Sequence, residues 1–351
     1  MKTVAVFVPA WNEADTIDET LVALLAQQTT DVVISAIIVI ANNCTDDTAE
    51  LARQVNDKRV IVLDVPKCPG KKSGAMNIAW RYLRQNGIRT DVILTVDAET
   101  LLSDGSLQGL SDAIGWRRPV VCARYMPKDN HGLVRRLQAL EYARFDDNRL
   151  IRNWRCQVAS GAAAMYRSSV LDEVVRVTGR SGPWDERSLI EDYGLTLDIK
   201  SLGYKGPRVA PQAMVLTDTP ATWRELWKQR TRWGRGGVDE CRQRGWISAT
   251  RRDISGYGVF AAVLIIRLLA IYYIVSLLTS GQVPTYSLIG LVPVVLMMYN
   301  RIASLKILTT KTWKDHLLVY SVIVEDTYGF FMEMVTATSI LMSYRGRRQA
   351  W

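Results

Sequence analysis

The sequence predicts an α/β chain: a doubly wound, mostly parallel sheet followed by apolar helices. Three observations carry this. Strand-like runs alternate with amphipathic helical stretches through the first hundred residues, the pattern of right-handed βαβ crossovers. The run Val92-Ile93-Leu94-Thr95-Val96 is continuously apolar or β-branched, as in a strand buried on both faces of a parallel sheet. From Tyr257 onward, long apolar segments replace the mixed pattern.

Taken in order, Val4 to Val8 is the first strand, and it runs into Pro9-Ala10-Trp11-Asn12-Glu13. A helix follows with an apolar stripe at Ile17, Leu21, Leu24 and Leu25. Thr16 with Glu19 three residues on predicts a capping box at its start. Ser35 to Ala41 is a second strand, ending in Asn42-Asn43-Cys44-Thr45-Asp46-Asp47-Thr48, from which another helix starts. Arg59 to Val65 is a third strand, Lys67 to Ser73 a Lys/Gly-rich loop, and Gly74 to Gln85 a helix. The Val92 strand then delivers Asp97-Ala98-Glu99. We find no internal repeat and no low-complexity tract.

The chain has 351 residues, a net charge of +9 and 48% hydrophobic content. Its cations are scattered, with groups at Arg251-Arg252 and Arg345 to Arg348 beside apolar segments. Such flanking charge fits membrane orientation better than nucleic acid, so no nucleic-acid partner is expected. The five cysteines are odd in number, widely spaced and without a CxxC, which predicts reduced thiols in a cytosolic compartment rather than a disulfide frame or zinc site. The N-terminus lacks the features of a cleaved signal peptide.

In a parallel sheet each strand releases its polar cluster at one edge, where open α/β sheets bind ligands. Asn12-Glu13, Asn42-Asn43, Lys72 and Asp97-Ala98-Glu99 converge there. Amides and carboxylates suit a base and ribose, while a lysine and a metal suit phosphates, so a nucleoside diphosphate is the expected ligand. The paired acids Asp97 and Glu99 suit a hard divalent cation, Mg²⁺ or Mn²⁺. There is no GxGxxG after the first strand and no GxxxxGK[ST] loop, which argues against a dinucleotide dehydrogenase or a P-loop ATPase. With only His131 and His316, histidine-based mechanisms have little material.

These motifs, in this order and spacing, resemble family-2 inverting glycosyltransferases of the GT-A fold. The resemblance continues through Lys72-Ser73-Gly74-Ala75-Met76-Asn77, Gly161 to Arg167, Gly182-Pro183-Trp184-Asp185, Glu191-Asp192 and Gln229-Arg230-Thr231-Arg232-Trp233, covering about residues 3–240. The last fits the QxxRW pattern of membrane-associated members. The resemblance implies a metal-dependent transfer of a sugar from a nucleotide-diphosphate donor, a UDP-sugar by preference, to a hydroxyl acceptor. Donor contacts fall on Pro9, Ala10, Asn12, Glu13, Asn42, Lys72, Asp97 and Arg232, and metal contacts on Asp97 and Glu99. Acceptor contacts fall on Gly161, Gln229 and Trp233, and Asp192 is the general base with Glu191 beside it. Two departures stand out: Asn42 replaces the usual base-reading Asp, which loosens the uridine preference, and Glu99 replaces the usual Asp of the metal motif.

The expected organisation is a cytosolic domain over residues 1–250, including an interfacial helix at about 220–243, and a membrane region over 251–351. Trp223, Trp227 and Trp233 among arginines and lysines give that helix its interfacial character. Tyr257–Thr279 and Val283–Tyr299 are candidate spans. Leu317–Met342 is a third, which carries Glu325, Asp326 and Glu333 and is a span, an interfacial segment or a re-entrant one, and Arg267 is the expected partner of its acids. The reading is thus an integral membrane protein with two or three apolar helices and its catalytic domain on the cytoplasmic side. Its partners are membrane lipids and a lipid-linked, saccharide or protein acceptor. Single transfer is preferred because no span precedes the first strand. The alternatives are a processive polysaccharide synthase, a non-catalytic nucleotide-binding membrane scaffold, and a nucleotidyltransferase, the last lacking its diphosphate-binding loop after the first strand.

Overall fold

A computed structural model describes residues 1–281, 288–308 and 310–346. It divides into two compact units, Met1–Asn130 with Asn148–Thr219, and His131–Asp147 with Pro220–Trp351. The helix at about 220–243 and the start of the long helix after residue 132 fall in the second unit.

In the first unit the chain runs β1 (Lys2–Ala10), α1 (Ile17–Leu25), β2 (Val32–Asn42), α2 (Thr48–Gln54), β3 (Val60–Val65), α3 (Lys71–Gln85), β4 (Val92–Val96), β5 (Leu101–Leu102), α4 (Ser106–Ala113) and β6 (Val120–Pro127). α5 (Leu133–Ile151) follows, its residues up to Asp147 belonging to the second unit. β7 (Ala163–Arg167), α6 (Ser168–Thr178), α7 (Glu191–Ser201) and β8 (Arg208–Thr217) complete the unit. The sheet order is β3-β2-β1-β4-β7-β6-β8-β5. β3, β2, β1 and β4 are mutually parallel, and β6 is parallel to β8. β7 runs antiparallel between β4 and β6.

Side chains alternate across the strands, so each face receives its own helices. Val4, Val6 and Val8 pack with Ile17, Leu21 and Leu24 of α1 and Leu107 and Leu110 of α4. Ala5 and Phe7 face the other way, onto Met76, Ala79 and Leu83 of α3, Val170 and Leu171 of α6, and Trp184. Fully burying one such Val, Leu or Phe side chain contributes about 1.5–3 kcal/mol.

The antiparallel β7 is what positions the site. Val96, the last residue of β4, pairs with Ala163, the first of β7. The start of β7 therefore lies at the same edge where the parallel strands end, and Gly161 and Ala162 arrive beside Asp97. The Asp97 amide donates to the Ala162 carbonyl at 3.2 Å.

Local details correct the sequence reading in three places. Thr16 does precede α1, but its side chain makes no capping bond. Its hydroxyl instead donates to Glu13 Oε2 at 3.1 Å and to the Ala98 carbonyl at 3.2 Å. α3 begins at Lys71 rather than Gly74, so Lys72 and Ser73 are helical. The third apolar segment breaks at Ser321 into α11 and α12.

The second unit holds the start of α5, α8 (Trp223–Arg244), α9 (Arg251–Thr279), α10 (Leu288–Ser304), α11 (Trp313–Tyr320) and α12 (Val322–Tyr344). α8 opens with a reciprocal capping box, Thr222 with Glu225. Trp223 and Trp227 pack edge-on against Phe331 of α12, with ring centres 5.1 and 5.5 Å apart, so these rings pack between helices rather than serving the interface alone. Among the described residues one helix, α9, is long and apolar enough to cross a bilayer. Residues 283–287 of the second candidate span lie outside the described residues, as do Arg347 and Arg348. Arg267 pairs with Asp326 at 3.3 Å and with Glu333 at 3.2 Å, the partnership expected for acids on an apolar helix.

Candidate functional site

Four parallel strand ends and the start of β7 gather the site. After β1, Asn12 takes a positive φ of 57°, a conformation Asn tolerates better than most residues. Its Oδ1 accepts from the Thr45 amide at 2.8 Å, tying the loop after β1 to the loop after β2. The Glu13 amide donates to Thr48 Oγ1 at 2.9 Å across the same gap. Pro9 and Ala10 close β1 and are buried. Asn42, at the end of β2, is buried and donates its amide to the Ala10 carbonyl at 2.7 Å. That bond fixes the flip of the side chain, committing its donor to the backbone and leaving Oδ1 to serve as acceptor.

Lys72 projects from the first turn of α3. Its ammonium stands 2.6 Å from Asp97 Oδ1 and 2.9 Å from Glu191 Oε1. Burial works against this ammonium, but the two carboxylates outweigh it and hold the group well above the ordinary lysine value. Gly161 sits against the same nitrogen: a β-carbon there would lie 3.2 Å from Lys72 Nζ and 3.6 Å from both Asp192 Oδ2 and Glu191 Oε1.

Asp192 lies in the first turn of α7. Its Oδ2 accepts from the Gly161 amide at 3.1 Å and its Oδ1 from the Tyr193 amide at 2.7 Å. Burial and the neighbouring Glu191 push its carboxyl up to about 6, against the pull of Lys72 and the two amides. Glu99 goes further, to about 7, from burial and the surrounding Asp97, Glu13 and Asp218. Glu13 is raised chiefly by burial, with Asp97 and Asp218 adding to it.

This concentration of carboxylates is the chemistry of a hard cation site. Among the described residues no group of three His, Cys, Asp or Glu side chains forms a complete ligand set. Asp97, whose Oδ1 is held by Lys72 at 2.6 Å, and Glu99 are the two carboxylates available to an ion of the Mg²⁺ type, which takes one or two carboxylates and fills its shell from phosphate oxygens and water.

The residue that sequence reading quoted without a role is Asn77. Its side chain clamps both backbone groups of Trp184, accepting from the amide at 3.1 Å and donating to the carbonyl at 2.9 Å, and it also donates to Glu186 Oε1 at 3.0 Å. Gly182 leaves room for it, since a β-carbon would fall 2.3 Å from Asn77 Oδ1. The clamp fixes the Gly182–Glu186 loop that leads into α7. Among the buried positions of α3 it is the one amide side chain. Gln229, Arg232 and Trp233 lie on α8 in the second unit. There the buried Gln229 Oε1 accepts no hydrogen bond among the described residues, and Trp233 stacks under the Arg230 guanidinium at 4.5 Å.

Residues 2–236 match the family model described as Glycosyltransferase like family 2. YdaM, a probable glycosyltransferase of Bacillus subtilis (strain 168), is 27% identical in an alignment of 253 residues that covers 66% of this chain and 54% of that protein. The poly-beta-1,6-N-acetyl-D-glucosamine synthase of Staphylococcus aureus (strain MSSA476) is 26% identical over 237 residues, 65% of this chain and 52% of the synthase. The chain spans about half the length of these curated relatives. Among solved structures, the mannosyltransferase PcManGT of Pyrobaculum calidifontis, in complex with GDP-Man and Mn²⁺, aligns with a TM-score of 0.55 at 15% identity, covering 98% of this chain and 88% of that one. The sheet is thus of the GT-A-like type.

Proposed function

Because the chain belongs to glycosyltransferase family 2, we propose that it moves a sugar from a nucleoside-diphosphate donor to a hydroxyl acceptor in a single inverting displacement. The observation that carries this reading is Lys72 held between Asp97 and Glu191, beside an amide-bonded Asp192. The acceptor oxygen forms its bond to the anomeric carbon as the bond to the diphosphate oxygen breaks. The hydroxyl proton passes to Asp192, and the diphosphate leaves with the bonding electron pair. Asp192, titrating at about 6, is ionised at neutral pH yet basic enough to take that proton in the transition state. Glu191 keeps the proton affinity of its neighbour high.

On the leaving side, Lys72 offers positive charge from a helix start, where an anion is favoured. A Mg²⁺ or Mn²⁺ held by Asp97 and Glu99 would supply Lewis-acid neutralisation of the diphosphate. Asn42, with its donor spent on Ala10, presents an acceptor suited to an N–H on the base edge, which uracil and guanine both possess. Pro9, Ala10, Asn12 and Glu13 shape the nucleoside end, and Gly161 serves the acceptor.

α9, apolar and exposed along its length, supports attachment to a membrane with the catalytic unit on the cytoplasmic side. The acceptor is then lipid-linked, saccharide or protein at that surface. A processive synthase is the second reading, favoured by the likeness to the staphylococcal polymer synthase. The deciding experiment is a screen of UDP- and GDP-sugars with detergent-solubilised chain and Mn²⁺, read by mass spectrometry. Sugar transfer or hydrolysis that disappears in Asp192→Asn is the expected result. Nucleotide binding with no turnover of any donor would leave a scaffold instead.

A further inference from the structure

Within the second unit, the start of α5 and the length of α11 border an open cleft of about 370 Å³, a size within the range of small-molecule sites. Leu133, Trp313, Leu317 and Leu318 line it with apolar surface, and Arg136 and Lys314 stand at its margin. Arg136 ties the two sides of this cleft together. It pairs with Asp315 at 2.7 Å and donates to the Thr312 hydroxyl at 2.7 Å, joining α5 to α11. Asp315 is the only acid of α11 and is buried against that arginine. Lys311 and Lys314 remain exposed on the same segment, so the outward charge of this margin is positive.

The apolar surface continues beyond the cleft. Trp313, Leu317 and Tyr320 share one face of α11 and are 71%, 60% and 54% exposed, with Ile323 at 80% just past its end. Water is a poor neighbour for so contiguous an apolar face. A face of Trp, Tyr and Leu flanked by lysines matches the headgroup layer of a bilayer, and most closely one with anionic lipid.

We propose that this cleft binds an anionic glycerophospholipid, its phosphate on Lys314 and the upper part of one acyl chain among Leu133, Trp313, Leu317 and Leu318. The proposal rests on the membrane-attached reading drawn from α9, and the test keeps the two apart. Full-length protein in neutral detergent micelles is titrated with bromo-acyl phosphatidylglycerol, bromo-acyl phosphatidylcholine or inorganic phosphate. Quenching assigned to Trp313 is the difference between the native chain and Trp313→Phe. Saturable Trp313 quenching at least threefold stronger for the anionic lipid, reduced to the phosphatidylcholine level by Lys314→Glu and lost in Leu317→Glu, is the expected result. Equal quenching by both lipids, which is annular contact only, would overturn the proposal. So would the absence of Trp313 quenching, or competition by millimolar phosphate that displaces the lipid and marks a soluble-anion site. Alkaline carbonate extraction from vesicles separately tests α9: release of the chain removes α9 as a span, while the micelle titration still decides the cleft.

Discussion

Lys72 and Glu191 are joined at 2.9 Å, a side chain from the first turn of α3 clasping one from the first turn of α7. The same ammonium reaches Asp97 at 2.6 Å, so three separate segments meet at one cation. An incoming diphosphate competes for that cation with two carboxylates. Lys72→Met is expected to lower kcat/KM by about 10²-fold or more, the scale of removing one electrostatic stabiliser of a developing anion. Steady-state kinetics with the donor found in the screen checks this, and a change under threefold would remove Lys72 from the leaving-group side.

The pH dependence of Asp192 has a definite sign. Its carboxyl is raised to about 6 by burial and Glu191, so below that pH it is protonated and cannot accept a proton. The log of kcat/KM should climb with unit slope toward pH 6 and level off above it, and Asp192→Asn should fall by about 10²–10⁴-fold. A profile flat from pH 5 to 8 in the native protein would exclude the assignment.

Gly161→Ala tests the fit around the clasp. The new methyl would stand 3.2 Å from Lys72 Nζ, tighter than ordinary contact, and the lysine side chain must yield by a few tenths of an ångström. Misplacement on that scale is expected to reduce kcat by about tenfold while the melting temperature stays within about 2 °C. A fully active variant would show that Lys72 placement is not critical.

Gly182→Ala probes a different constraint. A methyl 2.3 Å from Asn77 Oδ1 forces apart the clamp on Trp184, a side chain 1% exposed. Overpacking of this kind costs about 1–3 kcal/mol, and Trp184→Ala about 3–5 kcal/mol. Thermal or denaturant melts read both. Because the clamped loop leads into α7, Gly182→Ala should also lose activity beyond what its stability explains.

Chelation tests the paired acids. EDTA should abolish turnover and Mn²⁺ or Mg²⁺ restore it, with Asp97→Asn requiring far more metal for any recovery. Activity untouched by EDTA would sever the metal from Asp97 and Glu99.

Much of the frame was legible because it is local. Runs such as Val92–Val96 announce buried strands, and parallel order places Asn12, Asn42, Lys72 and Asp97 at one edge without any knowledge of distant contacts. What stayed hidden depends on pairings far apart in sequence. The hydroxyl of Thr16 matches a helix cap until the Ala98 carbonyl, 82 residues away, draws it off. Lys72 reads as loop because glycine and lysine cluster there, yet α3 begins at Lys71. The insertion of β7 between β4 and β6, which brings Gly161 to Asp192, is a matter of sheet order that no periodicity encodes. Ser321 interrupts an apolar segment with no proline or glycine to mark the break.

The Ala98 carbonyl accepts from two hydroxyls, that of Thr16 just before α1 at 3.2 Å and that of Thr20 within it at 2.7 Å. The peptide between Asp97 and Glu99 is thereby moored to the body of the domain before anything binds. An ion arriving there would meet acids whose connecting peptide is already held, so little of its affinity would be lost to ordering the chain.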